Sequence, residues 1–490
     1  MNYTSTRGSE VVLKSTEAVL EGLAPDGGLF MPKGLDLASF NAEGIFKLPY
    51  REMASRILSF FFDDFSDIKG IVERAYKDSF EADDITPVKA VSDRYILELF
   101  YGPTLAFKDV ALQLLPYLMS DAKKEAGSKE EILILTATSG DTGKAALEGF
   151  KDVPGIRICV FFPHGGVSPV QQLQMTTQRG GNVRSCAVKG NFDDTQTGVK
   201  LIFEGFSEEA LKAGTVLSSA NSINIGRLIP QVVYYFKAYA DLLAAGKIQE
   251  GDFVNFTVPT GNFGDILAGF FAKCMGLPVR KLICASNTNN ILTDFLTTGV
   301  YDKNRPFYKT ISPSMDILVS SNLERLLYLL SGNDSAYVAG LMSKLNTVGR
   351  YEVDKDMLNK LQETFSCGFA DDDMTKKTIR EVFLADRYLM DPHTAVAWTV
   401  SKAFTASDDP DAGLPNIVLS TASPYKFPQA IADALGLKDT GDEFALMEEI
   451  HEATGVKIPK NLAELKSLPV RFTDVIEKTD MEGYVRALVQ

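Results

Sequence analysis

Apolar positions along the chain follow two rhythms. Short unbroken apolar runs closed by Gly, Pro or Asn mark buried strands, and apolar residues recurring every three or four positions mark helices. From Ile96 onward the two alternate. Ile96–Phe100 reads as a strand, Gly102-Pro103-Thr104 breaks it, and helical spacing takes over from Val110. Further strands are predicted at Glu131–Thr138, Arg157–Phe162, Asn182–Val188, Val216–Ser219, Phe253–Val258, Leu282–Ala285 and Ile417–Leu419. Lys144–Phe150 continues one intervening helix, and Ser168-Pro169 opens another in N-cap and N1 form. Strands alternating with helices of this length predict parallel, right-handed β-α-β units. The expected fold is therefore α/β, with parallel sheets flanked by helices. Ligands in such sheets sit beyond the carboxyl ends of the strands.

The first 92 residues have a different texture, a turn-rich loop at Pro25–Pro32 followed by helical patterns at Arg51–Phe62 and Ile68–Ala75. They read as an additional N-terminal α+β segment. The expected division is an N-terminal domain (1–92), an α/β domain (93–245) and a larger α/β domain (246–490). Asp408-Asp409-Pro410-Asp411 reads as a surface loop, and no repeat or low-complexity tract interrupts the pattern.

Composition narrows the partners. A formal net charge of −14 opposes a nucleic-acid or anionic-membrane surface, although a locally positive pocket for a small anion remains open. No apolar run approaches the roughly 18 residues of a membrane span, and Val-Val-Leu-Lys near the N-terminus is no signal-peptide core. Five widely spaced cysteines, mostly within apolar runs, read as buried small hydrophobes in a reducing cytosol, so a cytoplasmic protein is expected. With three scattered histidines and no C-x-x-C, no metal site is expected.

Six stretches could carry chemistry. Lys108 falls in the first turn of a predicted helix, between Phe107 and Asp109. A helix N-terminus disfavours a cation, so a desolvated amine there would have a lowered pKa and could attack a carbonyl. A lysine lying along the surface is the competing reading of this stretch. Ser139-Gly140-Asp141-Thr142-Gly143 follows a strand and opens a helix, a geometry in which backbone N–H groups can approach an anion. It matches neither a nucleotide P-loop nor the G-x-G-x-x-G fingerprint.

Pro259-Thr260-Gly261-Asn262-Phe263-Gly264-Asp265 occupies the equivalent place after another strand, with Asp265 suited to supporting the helix N-terminus. Ser420-Thr421-Ala422 closes a strand with hydroxyls, which can bond an aromatic nitrogen without forcing a charge on it. Asn224 and Arg227 are either pocket residues or a helix cap with a solvent-facing arginine. Asp391-Pro392-His393 supplies either a proton-transfer histidine or a structural one.

Taken together these motifs resemble the threonine synthases of the longer bacterial and fungal branch, over almost the whole chain. The resemblance runs through Tyr3…Ser5-Thr6-Arg7-Gly8, Asp26-Gly27-Gly28-Leu29-Phe30, Gly102-Pro103-Thr104…Phe107-Lys108-Asp109 and Thr138–Gly143. It continues through Asn221-Ser222-Ile223-Asn224, Gly261–Asp265, Asp391–Ala395 and Ser420-Thr421-Ala422. It implies a tryptophan-synthase-β-like fold (fold type II) and pyridoxal 5′-phosphate as cofactor. Lys108 matches the family's Schiff-base lysine, Gly261, Asn262, Phe263 and Asp265 its cofactor-phosphate loop, and Thr421 the residue facing the pyridine nitrogen. Ser139, Gly140, Asp141 and Thr142 match the loop that holds the substrate carboxylate. Asn224, Arg227 and Lys426 are candidates for the substrate phosphate. One departure stands out: Ser423 occupies the place where familiar members read His, although Lys426-Phe427 persist.

The implied activity is threonine synthase, a carbon–oxygen lyase acting on phosphates in threonine biosynthesis. It converts O-phospho-L-homoserine and water to L-threonine and phosphate, as a monomer or homodimer. The rivals are a phospholyase or amino-acid dehydratase giving a 2-oxo acid and, from another class, a non-catalytic anion-binding α/β protein.

Overall fold

A computed structural model describes every residue except 82, 83, 139 and 439. At the N-terminus β1 (Asn2–Ser5), β2 (Val12–Lys14) and β3 (Phe30–Pro32) form an antiparallel sheet in the order β2-β1-β3. The helices Tyr50–Phe61 and Ile68–Tyr76 bury Met53, Ile57, Phe61, Ile71 and Val72 along one stripe each. The Tyr3 hydroxyl ties the sheet to the first helix through the Phe61 carbonyl at 2.9 Å. The expected N-terminal segment of mixed structure is present.

Beyond it come the antiparallel pair β4 (Val88–Val91) and β5 (Arg94–Glu98), then β6 (Glu131–Ala137), β7 (Ile156–Pro163), β8 (Val183–Lys189) and β9 (Thr215–Ser218). β10 (Val254–Pro259) and β11 (Val279–Ser286) precede a small antiparallel pair, β12 (Val300–Asp302) and β13 (Arg350–Glu352). β14 (Phe365–Phe369), β15 (Asn416–Ser420) and β16 (Val475–Glu477) complete the set. The six-stranded sheet runs β14-β11-β10-β15-β5-β4, parallel apart from β4. The five-stranded sheet runs β16-β8-β7-β6-β9 and is parallel throughout. Two parallel sheets flanked by helices are the α/β architecture the alternation predicts.

The sheets do not follow the linear division at residues 93 and 246. β5 pairs with β15 of the larger sheet, Ile96 opposite Val418, and β16 from near the C-terminus pairs with β8 of the smaller one. Pairing is decided by long-range register, which chain order does not encode. β11 also begins at Val279, ahead of the predicted Leu282, because its first turns carry Arg280 and Lys281. Those side chains reach the sheet's polar rim, where Arg280 meets Asp411 at 2.9 Å and Lys281 donates to the Gln362 carbonyl at 3.0 Å.

One continuous apolar core joins the N-terminal helices to faces of both sheets. All five cysteines are free, and Cys159, Cys186 and Cys284 are buried in strands. Among the described residues no helix is long and apolar enough to cross a membrane.

Candidate active site

The helix bearing Lys108 is a single short turn, Lys108–Leu112, and it is pinned from several sides. The Phe107 N–H donates to the Thr421 carbonyl at 2.8 Å, and Ala106 bridges Ala422. The Asp109 carboxylate accepts the Thr104 N–H at 2.8 Å and its hydroxyl at 2.6 Å, closing the Gly102–Phe107 turn. The turn therefore lies at the carboxyl end of β15, where ligands of such sheets bind.

From that turn the Lys108 side chain, only 11 % exposed, projects inward. Its Nζ lies 3.4 Å from Ser314 Oγ, 3.8 Å from the Asp141 carboxylate and 4.9 Å from the centre of the Phe107 ring. Burial is the leading cause pulling its pKa down; Asp141 opposes this, while Lys426 and Arg227 reinforce it. The surface-lysine reading is excluded, and desolvation, one of the two causes the sequence suggests, leads the shift.

Asp141 opens the helix Asp141–Phe150 and faces two ammonium groups. Its Oδ1 is 2.9 Å from Lys426 Nζ and accepts from Gln171 Nε2 at 3.4 Å. Burial pushes its carboxyl up, but Lys426 and Lys108 outweigh that and hold it well below the ordinary carboxylate range. Its side chain is thus an ion-pair partner, repulsive to a substrate carboxylate. What the loop offers an anion is backbone: the N–H groups of Asp141 and Thr142 and the Thr142 hydroxyl meet no described partner. The Thr138 hydroxyl braces the loop by accepting the Gly140 and Gly143 N–H groups at 3.0 and 2.9 Å. Ser139 lies outside the described residues.

The loop after β10 has the backbone donors that an anion would need. Phe263 adopts φ +62° and caps the helix Gly264–Cys274, and the N–H groups of Asn262, Phe263 and Gly264 have no partner among the described residues. Gly261 is required by close approach, since a Cβ there would stand 2.6 Å from the Ser314 carbonyl oxygen. Ser320 Oγ holds the Gly261 carbonyl at 2.7 Å, and the Asn322 backbone N–H holds that of Asn262 at 3.0 Å. Asp265 turns away into the interior, where Oδ1 accepts the Tyr234 and Tyr235 hydroxyls at 2.6 and 2.9 Å. Burial raises its pKa to about 6. Its side chain braces the helix from behind, and its Oδ2 is buried with no partner among the described residues.

At the end of β15 the Thr421 hydroxyl makes no hydrogen bond to a described residue, although the residue is buried. Asn224 caps the turn Ile225–Leu228 through the Gly226 N–H at 2.9 Å and donates to the Val19 carbonyl at 2.9 Å, so both ends of its amide serve the fold. Arg227 is buried, not solvent-facing. One guanidinium nitrogen donates to the Ala220 carbonyl at 2.8 Å, Nε has no partner among the described residues, and burial lowers the group to about 10. Lys426 is committed to Asp141 and to the Thr104 carbonyl at 2.8 Å.

Ser423 is buried and supplies its N–H to the Leu105 carbonyl at 3.0 Å. The nearest imidazole in this network is His393, whose Nδ1 lies 2.7 Å from Asp391 and whose Nε2 accepts the Ser314 N–H at 3.1 Å. Ser314 and Asn322 escaped sequence reasoning. Both sit in a long segment without apolar rhythm, so no periodic signal points to them. Among the described residues no group of three or more His, Cys, Asp or Glu could hold a metal ion.

Comparisons with known proteins agree with this geometry. A family model described as "Threonine synthase N terminus" matches residues 2–76, and one described as "Threonine synthase, C-terminal" matches residues 394–487. A threonine synthase of Pseudomonas aeruginosa is 41 % identical over 441 residues, covering 89 % of this chain and 90 % of that one. The crystal structure of PLP-bound threonine synthase from Brucella melitensis superposes with a TM-score of 0.88 at 40 % identity, covering 100 % of both chains. The threonine synthase of yeast superposes with a TM-score of 0.87 at 34 % identity over 99 % of this chain and 98 % of that one.

Proposed function

The chain belongs to the threonine synthase family, and from that premise we propose that it converts O-phospho-L-homoserine and water to L-threonine and phosphate at the Lys108 site. It is a pyridoxal-phosphate-dependent lyase. One observation supports the site assignment most: Ser314 meets both Lys108 Nζ, at 3.4 Å through its hydroxyl, and the space a Cβ of Gly261 would fill, at 2.6 Å through its carbonyl. The amine and the anion loop thus share one chamber. The residues present fit the cofactor: three N–H groups without a partner among the described residues for a phosphate, an amine whose protonated form is disfavoured, and a Thr421 hydroxyl likewise without a described partner for a ring nitrogen.

When bound, the cofactor supplies an electron sink for the pair left when a C–H bond of the substrate breaks. The chain's own residues do the rest. The Lys108 amine would take and return protons at the substrate, and its lowered pKa suits that task. Asp141, kept ionised by Lys426 and Lys108, gives the Lys108 ammonium a counter-charge whenever it carries the extra proton. The backbone N–H groups of Asp141 and Thr142 receive the substrate carboxylate. The hydroxyl of Thr421 would offer the cofactor's ring nitrogen a neutral partner. Arg227, through its unpartnered Nε, is the better candidate for the substrate phosphate than Lys426 or Asn224, whose groups serve the fold. The C–O bond to phosphate breaks at Cγ, and the oxygen of water ends on Cβ.

Product analysis tests the proposal. The cofactor-loaded protein incubated with O-phospho-L-homoserine should yield threonine and phosphate in equal amounts. Phosphate accompanied by 2-oxobutyrate and ammonia in place of threonine would mean a phospholyase instead.

A further inference from the structure

The sequence offers His393 as a proton-transfer group, yet its ring is fully engaged. Nδ1 faces the buried Asp391 carboxylate at 2.7 Å, and Nε2 accepts the Ser314 backbone N–H at 3.1 Å. A ring nitrogen that accepts a backbone N–H uses its lone pair, so the ring proton belongs on Nδ1, toward Asp391. Asp391 is itself fixed, accepting the His393 N–H at 2.9 Å and the Thr394 hydroxyl. The Thr394 hydroxyl in turn reaches Ser420 Oγ at 3.0 Å, next to Thr421. The imidazole also lies against Phe427, with ring centres 4.9 Å apart. Nothing in this arrangement points His393 at a substrate.

What it does is hold Ser314. The Ser314 segment belongs to a short turn, Pro313–Met315, inside a loop tied together by Asn287, Thr310 and Asp316. Its hydroxyl is the hydrogen-bond partner of Lys108 Nζ, and its carbonyl lies against Gly261. At 3.4 Å the contact is long, as catalytic hydrogen bonds commonly are before ligand binding. We propose that Ser314 is a further catalytic residue, the neutral hydroxyl that orients the Lys108 amine. We propose likewise that His393, braced by Asp391, is the positioning residue that sets Ser314. This rests on the assignment of Lys108 as the cofactor lysine.

A hydroxyl suits this role better than a second carboxylate. Beside Lys108 there are already two carboxylates, Asp141 and Asp109, and two cations, Lys426 and Arg227. A neutral partner can accept from the charged amine and donate to the uncharged one, so it tracks both protonation states without trapping either. No net proton leaves the pair.

The test uses the full chain. Ser314→Ala should lower kcat by about tenfold, the scale of one hydrogen bond, with KM unchanged. It should also slow by about the same factor the growth of the visible absorbance band when cofactor is added to cofactor-free protein, leaving the final amplitude intact. His393→Leu should reproduce both effects, add nothing in combination with Ser314→Ala, and be rescued by His393→Gln, which keeps an acceptor for the Ser314 N–H. If Ser314→Ala moves neither readout, the Ser314 assignment is wrong. If His393→Leu adds its full effect on top of Ser314→Ala, or His393→Gln does not rescue, the positioning role is wrong. Should His393→Leu fail to fold, the Ser314→Ala and His393→Gln readouts still decide. Lys108→Ala separates the two layers: loss of the band leaves the cofactor-lysine assignment standing whatever Ser314→Ala does, and a retained band removes both.

Discussion

Lys108 is held between Asp141 and Ser314, with Lys426 one step behind the carboxylate. Its chemistry follows from being desolvated in a charged setting, and that setting is assembled from distant parts of the chain. Its place at the start of a helix after a strand-ending turn was legible in sequence, but whether the amine is shielded or lies along the surface was not. Gly261 was legible for a similar reason, being a small residue where a strand meets a helix. Gly261→Ala should weaken cofactor binding by tenfold or more, since its Cβ cannot clear the Ser314 carbonyl at 2.6 Å without backbone movement costing about 1–3 kcal/mol. Equilibrium titration with the cofactor checks it. The partners of Asp141 and Asp265 were not legible, because a motif does not reveal them: Asp141 answers to Lys426, and Asp265, expected to support its helix, is held by Tyr234 and Tyr235. Burial lifts Asp265 to about 6 from an ordinary 3.8, so the folded protein binds that proton more tightly than the unfolded chain. The stability it contributes is full below about pH 4 and is lost as pH rises through about 6, a change of about 3 kcal/mol. Asp265→Asn should flatten that part of the denaturation midpoint's fall over this window and leave the similar share of Asp109, which burial also holds at about 6.

At the scale of elements, the site is a set of strand-to-helix junctions brought to one end of two parallel sheets. The junctions after β6 and β10, and the end of β15, were visible as apolar runs closed by small or hydroxyl residues. β14 and β16 were not. The first reads Phe-Ser-Cys-Gly-Phe and the second is only Val475–Glu477, too short and too mixed to show a rhythm. Contacts between elements were equally silent. The helix Asp141–Phe150 meets the Lys108 helix so closely that a Cβ on Gly149 would stand 1.9 Å from the Leu112 carbonyl oxygen. Gly149→Ala should therefore push the two helices apart and move Asp141 away from Lys108. We expect a loss of about 2–3 kcal/mol in chemical denaturation together with a fall in kcat. A destabilised protein with unchanged kcat would show that the spacing of these helices does not set the site.

Across the whole molecule, the N-terminal segment is wired into the anion-loop region. Arg7 donates to Glu324 through Nε at 2.9 Å and Nη2 at 2.7 Å, and the Thr6 hydroxyl donates to the same carboxylate. The neighbouring Arg325, fully buried, reaches the carbonyls of Phe30 at 3.2 Å and Ile223 and also holds Asn322, whose backbone N–H secures the Asn262 carbonyl. The motif around Arg7 was visible in sequence, but not its partner, because nothing local records a contact made so far along the chain. Glu324→Ala leaves Arg7 without its carboxylate and should cost about 3 kcal/mol, read as a lower thermal midpoint and faster proteolysis of the first strands. We propose that Lys108, and no other shielded amine, carries the cofactor. Lys144 is the sharpest competitor, its side chain only 14 % exposed and its pKa lowered first by desolvation. Reducing the loaded protein with borohydride fixes the cofactor to its lysine for peptide mapping. We predict a single modified peptide, the one containing Lys108; cofactor fixed on Lys144 or Lys426 with Lys108 bare would contradict the account.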